Sequence, residues 1–405
     1  MRILIISQVF LPDTASVSQH LTDIAEDLVS KGNTVNVLSS RYSYEYPKVH
    51  YIPIEVYKNI RIKRLWQTGF GKSSKLGRIF DFLTFNFSSL IKLLLMKRGE
   101  YDLFIGTTVP PLISFMGVFF TRIKKARFCF WAMDLQPELA IVAGYIKENS
   151  LTAKLLLLIG DYIIKRSDLI IALDKYMVNH IIKRGGNPNK IKVVPVWPVV
   201  RDIYWGPRLE NPFRMQTNFG DKIIIMYSGN LSVVHPLDTL LNASLILKND
   251  QRFLFVFIGG GVRKKEVLKF KSDRELDNII ILPYQDRDQI HLSLGAADIH
   301  VVIHGNGCTG YTHPNKIYGA MFIGKPILYI GPIPSHITDI LENCPGNIIV
   351  QHGETERVIE ELILFSNMEY ERWKEIGMRN MEFAHDNFRS SKLINNLISE
   401  LENLC

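Results

Sequence analysis

The sequence is short of cysteine. Its 405 residues hold only four, at positions 129, 308, 344 and 405, and no two are close enough to form a CxxC pair. A disulfide framework and a cysteine-rich metal centre are both set aside, and reduced thiols in a cytoplasmic protein are expected. No group of histidines and cysteines has metal-ligand spacing, so no metal and no cofactor are expected. Nor does any run reach the ~20 apolar residues that a membrane-spanning helix needs. The nearest, residues 79–96, is interrupted by Asp81, Asn86, Ser88, Ser89 and Lys92. The opening run, Arg2 to Ile6, ends at Ser7 and Gln8, too early for a secretory signal. No long stretch has a disordered composition, and 47% apolar residues are ample for the cores of two ordinary domains.

Acidic residues are scarce in one place. Between Lys58 and Arg98 there are ten basic residues, including Arg61, Lys63, Arg64, Lys72 and Lys75, against the single acid Asp81. The net charge of the whole chain is +8, so this window carries essentially all of the excess. Such a run is often just a solvated face. Here Trp66, Phe70, Phe80, Phe82, Phe85 and Phe87 are interleaved with the cations, a pattern suited to an anionic membrane surface. Nucleic acid is not expected, because no recognition motif accompanies the charge.

What the sequence does have is a repeated alternation of strand and helix. Met1 to Ile6 reads as a buried strand. A helix follows with Leu21, Ile24, Ala25 and Leu28 on one face, stopped near Gly32, and then a second strand over 34–38. Further strands read at 101–105, 127–131, 168–172 and 191–194. A proline-rich stretch from Pro195 to Pro212 breaks the rhythm and reads as a linker. A second series then begins with strands at 222–227, 253–258, 279–282 and 299–303. The expectation is an α/β protein of two doubly wound, Rossmann-like domains facing across a cleft, residues 1–203 and 204–387, with a C-terminal helix over 388–405 packing back on the first domain.

The most informative segment runs from Tyr311 to Pro326. It follows an apolar strand and a loop holding Gly305, Gly307 and Gly310. Pro314 is suited to open a helix, with Thr312 or His313 as its cap, and Lys316 falls in the first turn. A strand, a glycine loop, a helix start and a lysine point to a nucleotide-diphosphate site.

These pieces, together with Asp134-Leu-Gln-Pro-Glu138, Tyr227-Ser-Gly-Asn230 with His235, Gly259-Gly-Gly261 and Pro314-Asn-Lys-Ile-Tyr-Gly319, resemble the GT-B glycosyltransferases of retaining family 4, also called group 1. The nearest pattern is that of the bacterial colanic-acid and O-antigen fucosyl- and N-acetylfucosaminyl-transferases. The resemblance implies that the second domain binds the donor through Gly229, Asn230, His235, Gly260, Arg263, Tyr284, Gly310, Asn315, Lys316 and Tyr318. Many members have arginine where this chain has Asn230 and lysine where it has His235, so Lys316 and Arg263 are expected to take over the diphosphate. The family's paired glutamates align with Tyr311 and Gly319, leaving Tyr318 and the Gly310 backbone as substitutes. On the acceptor side, Asp134 and Glu138 are the candidate catalytic carboxylates, with Asp134 as a helix cap the alternative. Ser16 and Ser18 stand where relatives have a glycine-rich turn.

The resemblance thus implies a metal-independent, retaining transferase. It would move a sugar from a UDP-sugar, or alternatively a GDP-sugar, to a lipid-linked saccharide in bacterial surface-polysaccharide synthesis. It would lie on the cytoplasmic face of the inner membrane. A sugar-nucleotide epimerase and a non-catalytic scaffold of the same fold are the rival readings.

Overall fold

The computed structural model describes residues 1–44, 46, 48–71, 75–110 and 113–404. Lys72 and Cys405 lie outside them. The chain divides into two units. The first comprises Met1–Val196, Gly310–His313 and Ser390–Cys405, and the second comprises Trp197–Thr309 and Pro314–Arg389.

The first unit opens with β1 (Arg2–Ile6), α1 (Ser16–Ser30), β2 (Thr34–Ser40), β3 (Ile54–Tyr57), β4 (Ile60–Leu65), α2 (Lys75–Leu94) and β5 (Leu103–Gly106). It continues with α3 (Ile113–Lys124), β6 (Arg127–Trp131), α4 (Glu138–Val142), α5 (Leu151–Arg166), β7 (Leu169–Ala172), α6 (Lys175–Lys183) and β8 (Ile191–Val193). The strands form one sheet in the order β3-β4-β2-β1-β5-β6-β7-β8. Every neighbour pair is parallel except β3–β4. β1, β5, β6 and β7 are almost wholly buried and read as continuous apolar runs, as strands covered on both faces do. β4 alternates instead: Ile60 and Ile62 are buried while Arg61 is exposed. The order reverses between β1 and β5. Because parallel crossovers are right-handed, α1 lies on one face of the sheet and α3 and α5 on the other.

The second unit contains α7 (Pro212–Gln216), β9 (Ile223–Ser228), α8 (Asp238–Ile246), β10 (Phe253–Ile258), α9 (Lys264–Asp273), β11 (Ile279–Leu282), α10 (Ile290–Gly295) and β12 (Ile299–Ile303). Then come α11 (Lys316–Phe322), β13 (Ile327–Ile330), α12 (His336–Leu341), β14 (Ile348–Val350), α13 (Thr355–Ser366) and α14 (Tyr370–Phe388). Its six strands are all parallel, in the order β11-β10-β9-β12-β13-β14. Alternate residues of the central strands supply two cores. Ile223, Ile225, Tyr227, Phe253, Phe255 and Phe257 face one layer, while Ile224, Met226, Leu254, Val256 and Ile258 face the other. Each such buried side chain contributes roughly 1.5–3 kcal/mol. Asp298, buried just before β12, accepts from Arg208 Nε at 2.5 Å, from Arg214 Nη1 at 3.3 Å and from the Ile224 amide at 2.8 Å. These bonds fasten the latter part of the proline-rich stretch onto the second unit. The last helix, α15 (Ser390–Glu402), returns to the first unit, where Lys31 donates to Asn395 at 2.7 Å and Lys192 pairs with Glu400 at 3.1 Å.

Candidate functional site

In the second unit the strand order reverses between β9 and β12, the place where open α/β sheets bind ligands. The loops leaving the carboxyl ends of the strands there are tied to one another. The Gly229 amide donates to Ile258 O at 2.8 Å, the Leu231 amide to Gly260 O at 2.7 Å and the Gly305 amide to Val234 O at 2.9 Å. Tyr227, at the end of β9, is fully buried and donates its hydroxyl to the Asn230 carbonyl at 2.8 Å.

Lys316 sits over this ring, its Nζ 5.0 Å from the ring centroid. Its stem passes so close to Gly229 that a Cβ there would lie 2.5 Å from Lys316 Cε, and Gly229 has φ +136. Only glycine fits that backbone and that contact. Lys316 is intermediate in exposure, yet desolvation of its ammonium pushes its pKa down to about 8. Among the described residues no carboxylate forms an ion pair with it. His235 is buried beside it. Burial first, then the nearby Lys316 and His304, lower its pKa well below the ordinary value, so the ring is neutral. Tyr284 is half-buried at the Gly259 edge, Gly260 is partly exposed and Asn230 is exposed.

Several donor-side assignments need correction. The helix begins at Lys316, with Asn315 before it making no side-chain capping bond, so Pro314 is not its first residue. Thr312 and His313 do not cap it because their side chains are engaged elsewhere, as described below. At seven residues the helix is short, and the positive charge comes chiefly from the lysine itself. Arg263 is not a free cation: its Nε bonds Glu266 at 2.6 Å, and its Nη2 bonds Glu266 at 2.5 Å and Asp238 at 3.3 Å. Tyr318 is buried edge-on against Phe388, with ring centroids 4.7 Å apart, rather than presented to a ribose. Gly310 belongs to the first unit, where it lies against α6: a Cβ would fall 2.5 Å from His180 and 2.8 Å from the Tyr176 carbonyl.

In the first unit, the carboxyl ends of the adjacent strands β6 and β7 lead to Asp134 and Asp174. Burial raises the Asp134 pKa above the usual carboxylate range, opposed by a hydrogen bond from Thr312 and by nearby His313. A carboxyl raised in this way moves toward the range in which general bases work near neutral pH. Asp134 caps nothing: α4 starts four residues later, with Pro137 at its N-cap. Asp174 accepts from the Met177 amide at 2.8 Å, capping α6, and bonds His313 Nδ1 at 2.7 Å. Burial works against its ionisation, but His313 and the helix amides outweigh it and hold the pKa below the ordinary value. The sequence reading missed this Asp174–His313 pair. Its signal was present in Asp174, an acid at a strand end just ahead of a helix.

Glu138 is a structural residue. It is buried and ion-paired with Arg184, whose Nε also bonds Asp161 at 2.7 Å. Ser18 is fully buried inside α1, and Ser16 is the first residue of that helix, behind an Ala15 N-cap that makes no side-chain bond. Neither serine caps the helix. In the basic window, Arg64 is buried, paired with Glu55 and donating to Leu11 O at 2.6 Å, so it contributes no surface charge. Asp81 is buried too. It accepts from the Thr68 hydroxyl at 2.7 Å and the Gly71 amide at 2.7 Å, so the window's one acid is withdrawn from the surface, while Lys58 pairs with Glu26 from outside the window at 2.8 Å.

Residues 210–378 match the family described as glycosyl transferases group 1. Apart from Gly310–His313, that match lies within the second unit, which is thus similar to a group 1 glycosyltransferase domain. It is 24% identical over 260 residues to the probable glycosyltransferase WbjE of Pseudomonas aeruginosa, spanning 62% of this chain and 64% of that protein. To the putative colanic acid biosynthesis glycosyl transferase WcaI of Escherichia coli K12 it is 23% identical over 369 residues, 88% of this chain and 89% of the relative. Among solved structures, Anabaena HepE in complex with UDP and glucose superposes with a TM-score of 0.73 at 15% identity, covering all of both chains. The two Rossmann-like units are those of the GT-B fold. Tyr227, Gly229, His235 and Lys316 all lie within or beside the matched domain's switch point.

Proposed function

We propose that this protein is a retaining glycosyltransferase that moves a sugar from a nucleotide-diphosphate sugar to a lipid-linked saccharide in bacterial surface-polysaccharide synthesis. The observation that carries the reading is Lys316, a desolvated lysine without an acidic partner among the described residues, at the switch point of the second unit. A cation held this way is costly unless an anion completes it. The diphosphate of the donor supplies that anion, and UDP is favoured because HepE was solved with UDP and glucose.

On this reading the bond from the anomeric carbon to the diphosphate oxygen breaks as Lys316 stabilises the leaving charge. The acceptor hydroxyl attacks the same face, through an oxocarbenium-like state, and its proton passes to Asp134. Lys316 takes the charge-stabilising part that a metal plays in other transferases, so turnover is expected to persist in chelator. The enzyme works at the cytoplasmic face of the inner membrane, reached through the basic surface around Arg61 and Lys63.

The test is a thermal-shift panel of UDP-, GDP- and TDP-sugars, since a ligand bound only by the folded state raises stability by mass action. UDP-sugars should raise the midpoint most. A larger shift with GDP-sugars would reassign the base, and no shift with any nucleotide would overturn the reading.

A further inference from the structure

We propose that α2, α3 and α5 together form a lipid-inserted face, so that membrane attachment is apolar burial in the bilayer surface as well as charge attraction. This rests on the membrane reading above and deepens it. On α2, Leu76, Ile79, Phe80, Leu83, Phe87 and Ile91 recur at three- and four-residue spacing, yet all are exposed. A stripe of that kind normally faces a core. Leu94 and Leu95 extend it at the helix end. The α2 core side is supplied by other residues, Phe85 and Leu93, which are fully buried.

The stripe does not stop at one helix. α3 packs against both α2 and α5. Lys124 of α3 donates to Leu94 O at 3.0 Å, and Phe115 of α3 meets Tyr162 of α5 with ring centroids 5.4 Å apart. Phe119 and Ile123 on α3, and Leu151, Leu155 and Leu158 on α5, are exposed as well. More than a dozen large side chains left about half exposed leave on the order of 1,000 Å² of apolar surface, above the ~300–600 Å² of the largest patch on a typical monomer.

The charges choose the occupant. Arg78, Lys97 and Arg98 of the window, and Arg122 and Lys125 at the end of α3, are exposed, while the sole acid of α2, Asp81, is buried. A second copy would bring the same positive rim and be repelled, whereas an anionic lipid surface is complementary. Among the described residues no helix is long and apolar enough to cross a membrane, so the face lies in the interface rather than spanning it.

The experiment places single cysteines, carrying an environment-sensitive fluorophore, at Phe87, Leu155 and Ser30 in the full chain with Cys405→Ser. Cys129, Cys308 and Cys344 are buried and stay unlabelled. Ser30 is an exposed α1 residue on the other side of the sheet. With vesicles of phosphatidylglycerol and phosphatidylethanolamine, the labels at 87 and 155 should shift to the blue and become shielded from an aqueous quencher, and the label at 30 should not. Part of the binding should survive 1 M salt, and Leu83→Glu with Phe87→Glu should weaken it at least tenfold. A label at 155 that stays in water would overturn the three-helix face. So would a concentration-dependent dimer that the double variant abolishes, with no vesicle signal. UDP affinity is measured on the same proteins, so failure of the transferase reading would show there without touching the vesicle result.

Discussion

Replacing Lys316 by alanine separates binding chemistry from folding. A charge-assisted hydrogen bond is worth ~1.5–3 kcal/mol, so UDP affinity at neutral pH should fall by roughly ten- to a hundredfold. The depressed pKa supplies a second, sharper signature. In the free protein Lys316 titrates near 8, and a bound diphosphate would return it toward the ordinary value of about 10.4. Only the protonated lysine binds well, so wild-type affinity should drop by about tenfold between pH 7 and pH 9. The phosphates are already ionised above pH 7 and add little to that slope. Stability of the unliganded protein runs the other way. From about pH 8 to 10.4 the unfolded chain holds more protons on this lysine than the folded one. The free energy of unfolding therefore rises with pH across that window, by at most about 3 kcal/mol before discounting for the residue's partial exposure. Lys325, which burial also pushes down to about 8, titrates in the same range, so the alanine variant should lose about half of the rise rather than all of it. Titration calorimetry at several pH values and denaturant unfolding of the apo protein read both quantities. Unchanged affinity in the variant, or a wild-type pH slope that the variant retains, would refute the assignment.

Two other substitutions divide catalysis from structure. Asp134→Asn should keep UDP affinity within twofold or so and lower transfer by on the order of 10²–10⁴, as expected for a positioned general base; near-normal turnover would remove Asp134 from the mechanism. Glu138→Gln should leave UDP binding unchanged and destabilise the first unit by ~1.5–3 kcal/mol, because it takes one carboxylate from the partly buried Arg184, which keeps Asp161; urea unfolding will show this.

How much was legible in advance follows from the kind of signal each feature carries. The central strands announced themselves because burial on both faces demands uninterrupted Ile, Val, Leu and Phe, as in Phe253–Ile258. Strands β3 and β4 were hidden because their alternation of Ile60 and Ile62 with Arg61 and Lys63 reads equally as a charged surface. Within the site, Lys316 and Gly229 were visible as motif members, but their mutual contact was not, since it joins positions 87 apart in sequence across neighbouring strands. Local readings failed where a long-range partner decided a residue's role. Arg263, Glu138 and Arg64 look alike in sequence to available catalytic or surface charges, and each is claimed by a partner: Glu266, Arg184 and Glu55 respectively. Thr312 and His313 have good helix-capping chemistry, yet Asp134 and Asp174 take their side chains. The same reasoning explains why Lys316 stands out. Among the cations weighed as diphosphate partners it is the one whose surroundings remove water without supplying an acid. That is a property of the folded neighbourhood, and no spacing rule in the chain encodes it.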